Sequence, residues 1–263
     1  FREGLELVRD PLTRANLHAR VGQTLVNLGA FREAEAELRA CLAISQLHGD
    51  ELGSGDAWIG LAGIALHEGA LDEARERTVS AREHYLAARH RWGLATCQEM
   101  TGEIARHQRA WDVAIAHYRE SGDIWRALGT DSAALYSDVN IAMVEVERGR
   151  AALVAAELEG CAARAEAFGI RSLWATVRIA QLVADAQAGQ AEVWDRHLAE
   201  GAMALAETCL VSPDVATLAE LAAQEARRRG WDARATEMHA LALAQWQGLG
   251  RVEDVERLRR ARS

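Results

Sequence analysis

An internal period constrains this chain more than any other feature. Six segments, GAFREAEAELRAC (29–41), GALDEARERTVSA (69–81), RAWDVAIAHYRES (109–121), GRAALVAAELEGC (149–161), GQAEVWDRHLAEG (189–201) and RGWDARATEMHAL (229–241), begin 40 residues apart without insertion or deletion. Phe31, Leu71, Trp111, Ala151, Ala191 and Trp231 share one column, and Leu38, Thr78, Tyr118, Leu158, Leu198 and Met238 share another. Seven residues upstream of each segment runs a small-residue column of Gly22, Ala62, Gly102, Ala142 and Ala222, with Leu182 as its exception. A period of this length means a stack of like units, each burying its apolar face against its neighbours.

Each unit reads as two helices. Apolar residues recur near every 3.6 positions, as in Trp58, Leu61, Ala62, Ala65 and Leu66. The first helix stops at Gly29, Gly69, Gly149 or Gly189, a residue type that takes the left-handed conformation at no steric cost. The second follows almost at once, which makes the two antiparallel neighbours. Asp10-Pro11 and Ser212-Pro213 each pair an N-cap residue with proline at the first helical position. The small column then marks where paired helices approach closely. Abundant alanine, only 2 prolines and 5% aromatic residues agree with an all-helical chain.

The residues now carry a resemblance. Trp58-x2-Leu61-Ala62 followed by Ala74-x3-Thr78 resembles the tetratricopeptide (TPR) pattern. Val21-Gly22 with Ala34-x3-Leu38, and Gly102 with Ala114-x3-Tyr118, repeat it. Six residues are added after the second helix, around Leu47-His48-Gly49-Asp50, Arg91-Trp92-Gly93, Ala127-Leu128-Gly129-Thr130 and Ala167-Phe168-Gly169. This is similar to the long TPR variant of bacterial signalling proteins, where such arrays follow a nucleotide-binding (STAND-type) or kinase module. The resemblance implies an all-α, right-handed α-solenoid of about six TPR-like helical hairpins with end-capping helices. It implies one domain over 1–263, with repeats at about 11–50, 51–90, 91–130, 131–170, 171–210 and 211–250. The last two repeats depart from the pattern, since Trp194 and Arg234 replace the second-helix alanine and Gln181 replaces the leucine. Phe1 to Arg9 reads as the tail of a preceding second helix. Arg251 to Arg262, with Val252, Val255 and Leu258 on one stripe, reads as a solvated cap.

The resemblance further implies that first helices line a concave groove where partners dock. The column before the inter-helix turn holds Asn27, His67, His107, Glu147, Gln187 and Arg227, all polar. Asp56, Glu99, Glu103, Arg106 and Tyr136 are also expected on the groove, and Glu99, Glu103, Arg106 and His107 cluster in the third repeat. Polarity alone is equally what a solvated last turn carries, and Glu103 and His107, one turn apart, can simply pair with each other. Repeat neighbours stand about 10 Å apart, too far for His67, His107 and Glu147 to share one metal ion with bonds near ~2 Å.

Other classes are disfavoured. Net charge is −9 with no interleaved basic and aromatic stripe, which argues against nucleic acid. No run of 18 apolar residues exists, and the end helix carries acids among its arginines, so no membrane partner is expected. Cys41, Cys97, Cys161 and Cys209 are widely separated, with no CxxC pair, and read as free buried thiols in a reducing cytoplasm. HExxH, GxSxG and phosphate-loop signatures are absent, so no enzyme, cofactor or metal is expected, an enzyme being the remote alternative. The chain has no lysine, and Ala19 and Gln23 stand where the TPR carboxylate clamp would need Lys and Asn. What remains is a non-catalytic module for a protein or peptide partner, or a small ligand. Such a module serves as a sensor region of a larger signalling protein or, alternatively, as a constitutive adaptor.

Overall fold

The computed structural model describes residues 8–260, the side chain of Asn27 excepted. Residues 1–7 of the expected leading helix and 261–263 of the expected cap lie outside the described residues. Among those described are thirteen α-helices, one 3₁₀ turn and no strand. The hairpins pair α1 (Pro11–Asn27) with α2 (Phe31–His48), α3 (Glu51–His67) with α4 (Leu71–Ala87), and α5 (Arg91–His107) with α6 (Trp111–Ala127). They continue as α7 (Asp131–Glu147) with α8 (Ala155–Ala167), α9 (Arg171–Ala188) with α10 (Ala191–Thr208), and α11 (Pro213–Arg228) with α12 (Asp232–Gly248). A final helix, α13 (Val252–Arg260), follows.

Four of the first helices begin on side-chain caps. Asp10 accepts the Thr13 amide at 2.7 Å, Asp50 that of Gly53 at 3.1 Å and Ser212 that of Asp214 at 3.2 Å. In the third hairpin, His90 Nδ1 accepts the Gly93 amide at 3.2 Å. Pro11 and Pro213 take the first helical positions as expected. The helices that open at Phe31 and Leu71 need no such cap, because the turn before each is closed by backbone: Ala30 N donates to Leu25 O and Ala70 N to Ala65 O, both at 2.9 Å. Every turn uses one left-handed residue. These fall at 29, 49, 69, 89, 109, 129, 149, 169, 189 and 209, then at 230 and 250. The structural beat is therefore half the sequence period.

The beat slips once. Four residues, Cys209–Ser212, separate α10 from α11, where earlier hairpins are joined by two or three. The sixth hairpin consequently runs one residue late. Ala235, not Arg234, packs at the second-helix alanine position, and Ala242 and Trp246 follow it into the core. This corrects the uninterrupted period expected from sequence. The fourth hairpin also differs, opening its second half with a 3₁₀ turn at Ala151–Val154. There alanine replaces the large apolar residue of Phe31, Leu71 and Trp111, and β-branched Val154 replaces alanine, so the first turn winds tighter.

The small column does what its composition implies. A Cβ on Gly22 would sit 2.7 Å from Leu38, and one on Gly102 would sit 2.8 Å from Tyr118. Each glycine thus faces the large residue of the second column, while Ala62 belongs to the hairpin with the smaller Thr78. In the fifth hairpin the arrangement inverts. Leu182 is buried on the first helix, Trp194 is 0% exposed on the second, and Gly201 supplies the close approach, 3.0 Å from Ile179.

The chain forms two compact units, Phe1–Ala134 and Leu135–Ser263. In the first, each hairpin packs on the next, and the first helices α1, α3 and α5 contact in sequence. Its apolar clusters sit between helices, for example Val26, Ala34, Leu38, Leu61 and Ile64. In the second unit α9 is central: every residue from Leu173 to Ala186 is buried among α8, α10 and α11. At its end α13 lays Val255 and Leu258 over Ala216, Ala219, Ala242 and Trp246.

Candidate binding surfaces

Of the residues expected on the groove, those of the first unit fall into two kinds. Asp56 and Glu99 are half-buried and engaged by the second helix of their own hairpin. Tyr85 Oη donates to Asp56 Oδ1 at 2.8 Å, and Trp125 Nε1 donates to Glu99 Oε1 at 3.1 Å. Tyr85 and Trp125 stand one full repeat apart, so the same column staples both hairpins. Burial raises the Asp56 carboxyl above its ordinary range, an effect the Tyr85 bond and the His90 charge partly offset. Glu103 is half-buried with its carboxylate 3.6 Å from the Arg106 guanidinium, which is itself only 7% exposed. His107 is exposed at the end of α5. His67 is exposed at the end of α3, its ring stacked 5.2 Å from Phe31. Asp56 and His67 are eleven residues apart on one helix, about 16 Å along its axis, so they do not meet. Asn27 closes α1, and its side chain lies outside the description. In the second unit Tyr136 is exposed at the start of α7, with its phenol raised by burial, and Glu147 is half-buried at the helix end.

Two concavities lie elsewhere. A cleft of about 420 Å³ opens between α2, α3 and α4, floored by Leu42, Trp58 and Leu61 and rimmed by Arg39, Glu73, Glu76, Arg77 and Ser80. Arg77 donates to the Leu61 carbonyl at 2.8 Å and pairs with Glu73, while Arg39 pairs with Glu35 at 2.7 Å. In the second unit a cleft of about 340 Å³ is lined by Asp138, Ile141, Val154, Glu157, Gly160 and Arg164 among others, with Arg164 paired to Asp138 at 2.6 Å. Trp58, Leu61, Arg77 and Ser80 of the first cleft map onto Asp138, Ile141, Glu157 and Gly160 of the second by a shift of two full repeats. Both therefore occupy the same place in a hairpin, the second and the fourth. Small residues, Ser80 and Gly160, leave that place open, and Glu120 and Glu200 stand there in the third and fifth hairpins. None of the nine groove residues lines either cleft.

Sequence reasoning also missed a buried polar network in the second unit. Arg178 Nη1 donates to Glu159 Oε2 at 2.9 Å and to Gln181 Oε1 at 2.8 Å, and Gln181 Nε2 donates to the same Glu159 oxygen at 2.7 Å. His197 Nδ1 lies 2.8 Å from Asp185 Oδ2, and its Nε2 lies 4.0 Å from Glu159 Oε2. Arg178 Nε is 2.8 Å from Glu200 Oε2, and its guanidinium covers the Trp174 ring at 5.0 Å. Burial pushes the Glu159 carboxyl up, but the bonds from Gln181 and Arg178 and the charges of Arg178 and His197 leave it below its ordinary range. Gln181 in place of leucine is the visible signal in the sequence, where it stands only as a departure from the repeat pattern.

The cysteines and tryptophans refine the picture. Cys41, Cys97 and Cys161 are buried, with thiols raised to about 11, 12 and 11 by desolvation, but Cys209 is exposed in its turn, against expectation. Trp125 and Trp246 are buried, and Trp92 is exposed with its ring edge-on to Trp125 at 5.0 Å. Among the described residues no group of three or more His, Cys, Asp or Glu is placed to hold a metal ion, and no helix is long and apolar enough to cross a membrane.

Successive helical hairpins, joined by short left-handed turns on a beat that slips once, define an all-α helical-repeat protein, and that fold fits the TPR-like resemblance. No protein-family model and no curated protein matches the sequence. Solved structures do match it. The chain is similar to the apo form of RapI, with a TM-score of 0.73 at 12% identity over 95% of this chain and 89% of that one. It is similar to a Rap protein complexed with competence and sporulation factor, with a TM-score of 0.76 at 13% identity over 95% and 68%. It is also similar to aspartyl phosphate phosphatase F from Bacillus subtilis, with a TM-score of 0.66 at 10% identity over 95% and 71%. At such identities the likeness is one of fold.

Proposed function

We propose that this chain is a non-catalytic module that binds a protein or peptide partner and serves as the sensor or regulatory region of a larger bacterial signalling protein, of the STAND ATPase or kinase kind. The observation that carries the reading is the pair of repeat-equivalent clefts. Each combines an apolar floor with charged side chains at its rim, the composition with which protein surfaces receive a partner's side chains. The similarity to a Rap protein solved with competence and sporulation factor supports it, since a fold of this design receives a factor there. In this reading the first-helix residues Asn27, Asp56, His67, Glu99, Glu103, Arg106, His107, Tyr136 and Glu147 supply polar contacts to the partner. Repeat units touch only their neighbours, so a bound partner changes stacking between hairpins and is felt at the ends of each stack.

Affinity capture with wild type, a cleft-filled Ser80→Trp/Gly160→Trp variant and a Glu103→Ala/His107→Ala variant tests the reading, with helicity checked by circular dichroism. Partners are lost from the first variant if the clefts bind, and from the second if the first-helix face does. Capture undiminished by both sinks the binding-site assignment. Loss of capture with no effect on an attached effector's activity favours a constitutive adaptor.

A further inference from the structure

The fourth-hairpin cleft departs in charge from the columns that build it. Where Asp138 and Glu157 stand, the first and third hairpins set complementary groups face to face. His18 Nδ1 lies 2.6 Å from Glu37 Oε2, and His117 Nδ1 lies 2.7 Å from Gln98 Oε1. Trp58 and Arg77 hold the same two columns in the second hairpin and line its cleft. In the fifth hairpin both members are basic, Arg178 and His197, and a carboxylate from the neighbouring hairpin answers them. Glu159 Oε2 stands 2.9 Å from Arg178 Nη1 and 4.0 Å from His197 Nε2. The fourth hairpin puts two carboxylates in these columns. Asp138 pairs with Arg164 at 2.6 Å, whereas Glu157 is exposed and pairs with no cation among the described residues.

We propose that this cleft receives a basic side chain, arginine or lysine, of the peptide partner, an inference that rests on the reading of the clefts as binding sites. The lining carries two carboxylates against one guanidinium, so the complement it lacks is a cation. Beyond the burial that raises the Cys161 thiol, Asp138 and Glu157 raise it further and Arg164 lowers it, so all three charges act on one floor. The rest of the lining is apolar, from Ile141, Ala142 and Val154, and a Cβ added at Gly160 would meet nothing within 4 Å. A long basic side chain matches both halves of this arrangement. Its methylenes lie on the apolar floor while its head meets carboxylate oxygens. A partner carboxylate would have to draw Arg164 away from Asp138 and would face Glu157. An apolar side chain would desolvate Glu157 without pairing it. In the second-hairpin cleft Arg77 stands at the Glu157 place, already bonded to the Leu61 carbonyl and Glu73, so no preference for a cation is expected there.

The probes are a Gly-Ala-Arg-Ala-Gly peptide blocked at both ends and the same peptide with citrulline, the neutral isostere of arginine, at its centre. Each is titrated into the isotope-labelled full chain, and the amide resonances of Ile141, Val154 and Gly160 read the cleft. The arginine peptide should bind about threefold to fivefold more tightly than the citrulline peptide at low salt, and added salt should shrink that advantage. Lysine at the centre should keep it. Glu157→Gln, an exposed substitution that leaves the Asp138–Arg164 pair in place, should remove most of it. An arginine peptide that shifts none of these amides overturns the proposal, and so does an advantage that survives Glu157→Gln unchanged. Equal affinities for the two peptides overturn the preference for a cation and leave the partner-binding reading standing. Partner capture undiminished by Gly160→Trp, together with amides that respond to neither peptide, overturns both for this cleft.

Discussion

Arg89, Arg109 and Cys209 hold left-handed backbone, with φ of 53°, 57° and 50°, where nine other turns use glycine. A side chain in that conformation crowds its own carbonyl and costs about 1–2 kcal/mol. Nothing lies within 4 Å of a Cβ added at Gly69, so the penalty at these turns is conformational rather than a clash. Gly69→Ala is accordingly expected to lower stability by about 1 kcal/mol in urea unfolding. Arg109→Gly should raise it, by somewhat less, because glycine also adds entropy to the unfolded chain. Asp56 supplies a second test at this scale. Its folded carboxyl is raised above the unfolded value, so the charged form is the disfavoured one in the fold. The resulting penalty is present at neutral pH and relieved as pH falls through the folded value. Tyr85→Phe removes the bond that offsets burial. It should cost about 1–2 kcal/mol near neutral pH and distinctly less near pH 4, measured as urea midpoints at both.

Helix pairs, rather than single helices, are the units whose energetics repeat. Gly102 exists for Tyr118, which is fully buried against it. Gly102→Ala places a methyl 2.8 Å from that ring and should destabilise by about 1–3 kcal/mol. Combining it with Tyr118→Leu should cost less than the two single changes summed, and thermal unfolding of the four proteins measures the coupling. This pairing was legible because both partners fall in fixed columns, as did the glycine stops and the proline starts. The sixth hairpin was not. Trp231 matches the Phe31 and Trp111 column by number, yet in the fold it precedes its helix, and only the four-residue Cys209–Ser212 connection reveals the shift. The Arg178, Gln181, Asp185 and His197 network was hidden for a different reason. Arg178, Gln181 and Asp185 lie on one helix, but the groups that satisfy them, Glu159 on α8 and His197 on α10, come from its neighbours, and a polar residue at a core column looks like a loss of pattern until those partners are seen. The clefts were equally silent, since a cavity arises from what Ser80 and Gly160 lack.

At the scale of the whole molecule, each compact unit has to finish its own core. In the second unit α13 does so, covering Trp246 while Arg257 grips Glu220 with two bonds at 2.7 and 2.8 Å, and Glu220 also receives Trp246 Nε1 at 2.6 Å. Ending the chain at Gly250 uncovers that surface. The expected loss is roughly 3 kcal/mol from Val255 and Leu258 alone, together with a red-shifted Trp246 emission. The turn spacing has a last consequence, for recombination. Within the first unit the left-handed residues recur every 20 positions from Gly29 to Gly129, so a hairpin there is an exchangeable cassette: excising residues 51–90 should rejoin the chain in phase. Beyond Cys209 the numbering is offset by one, and a transplanted sixth hairpin has to carry Cys209–Ser212 with it or arrive with every side chain turned by about 100°.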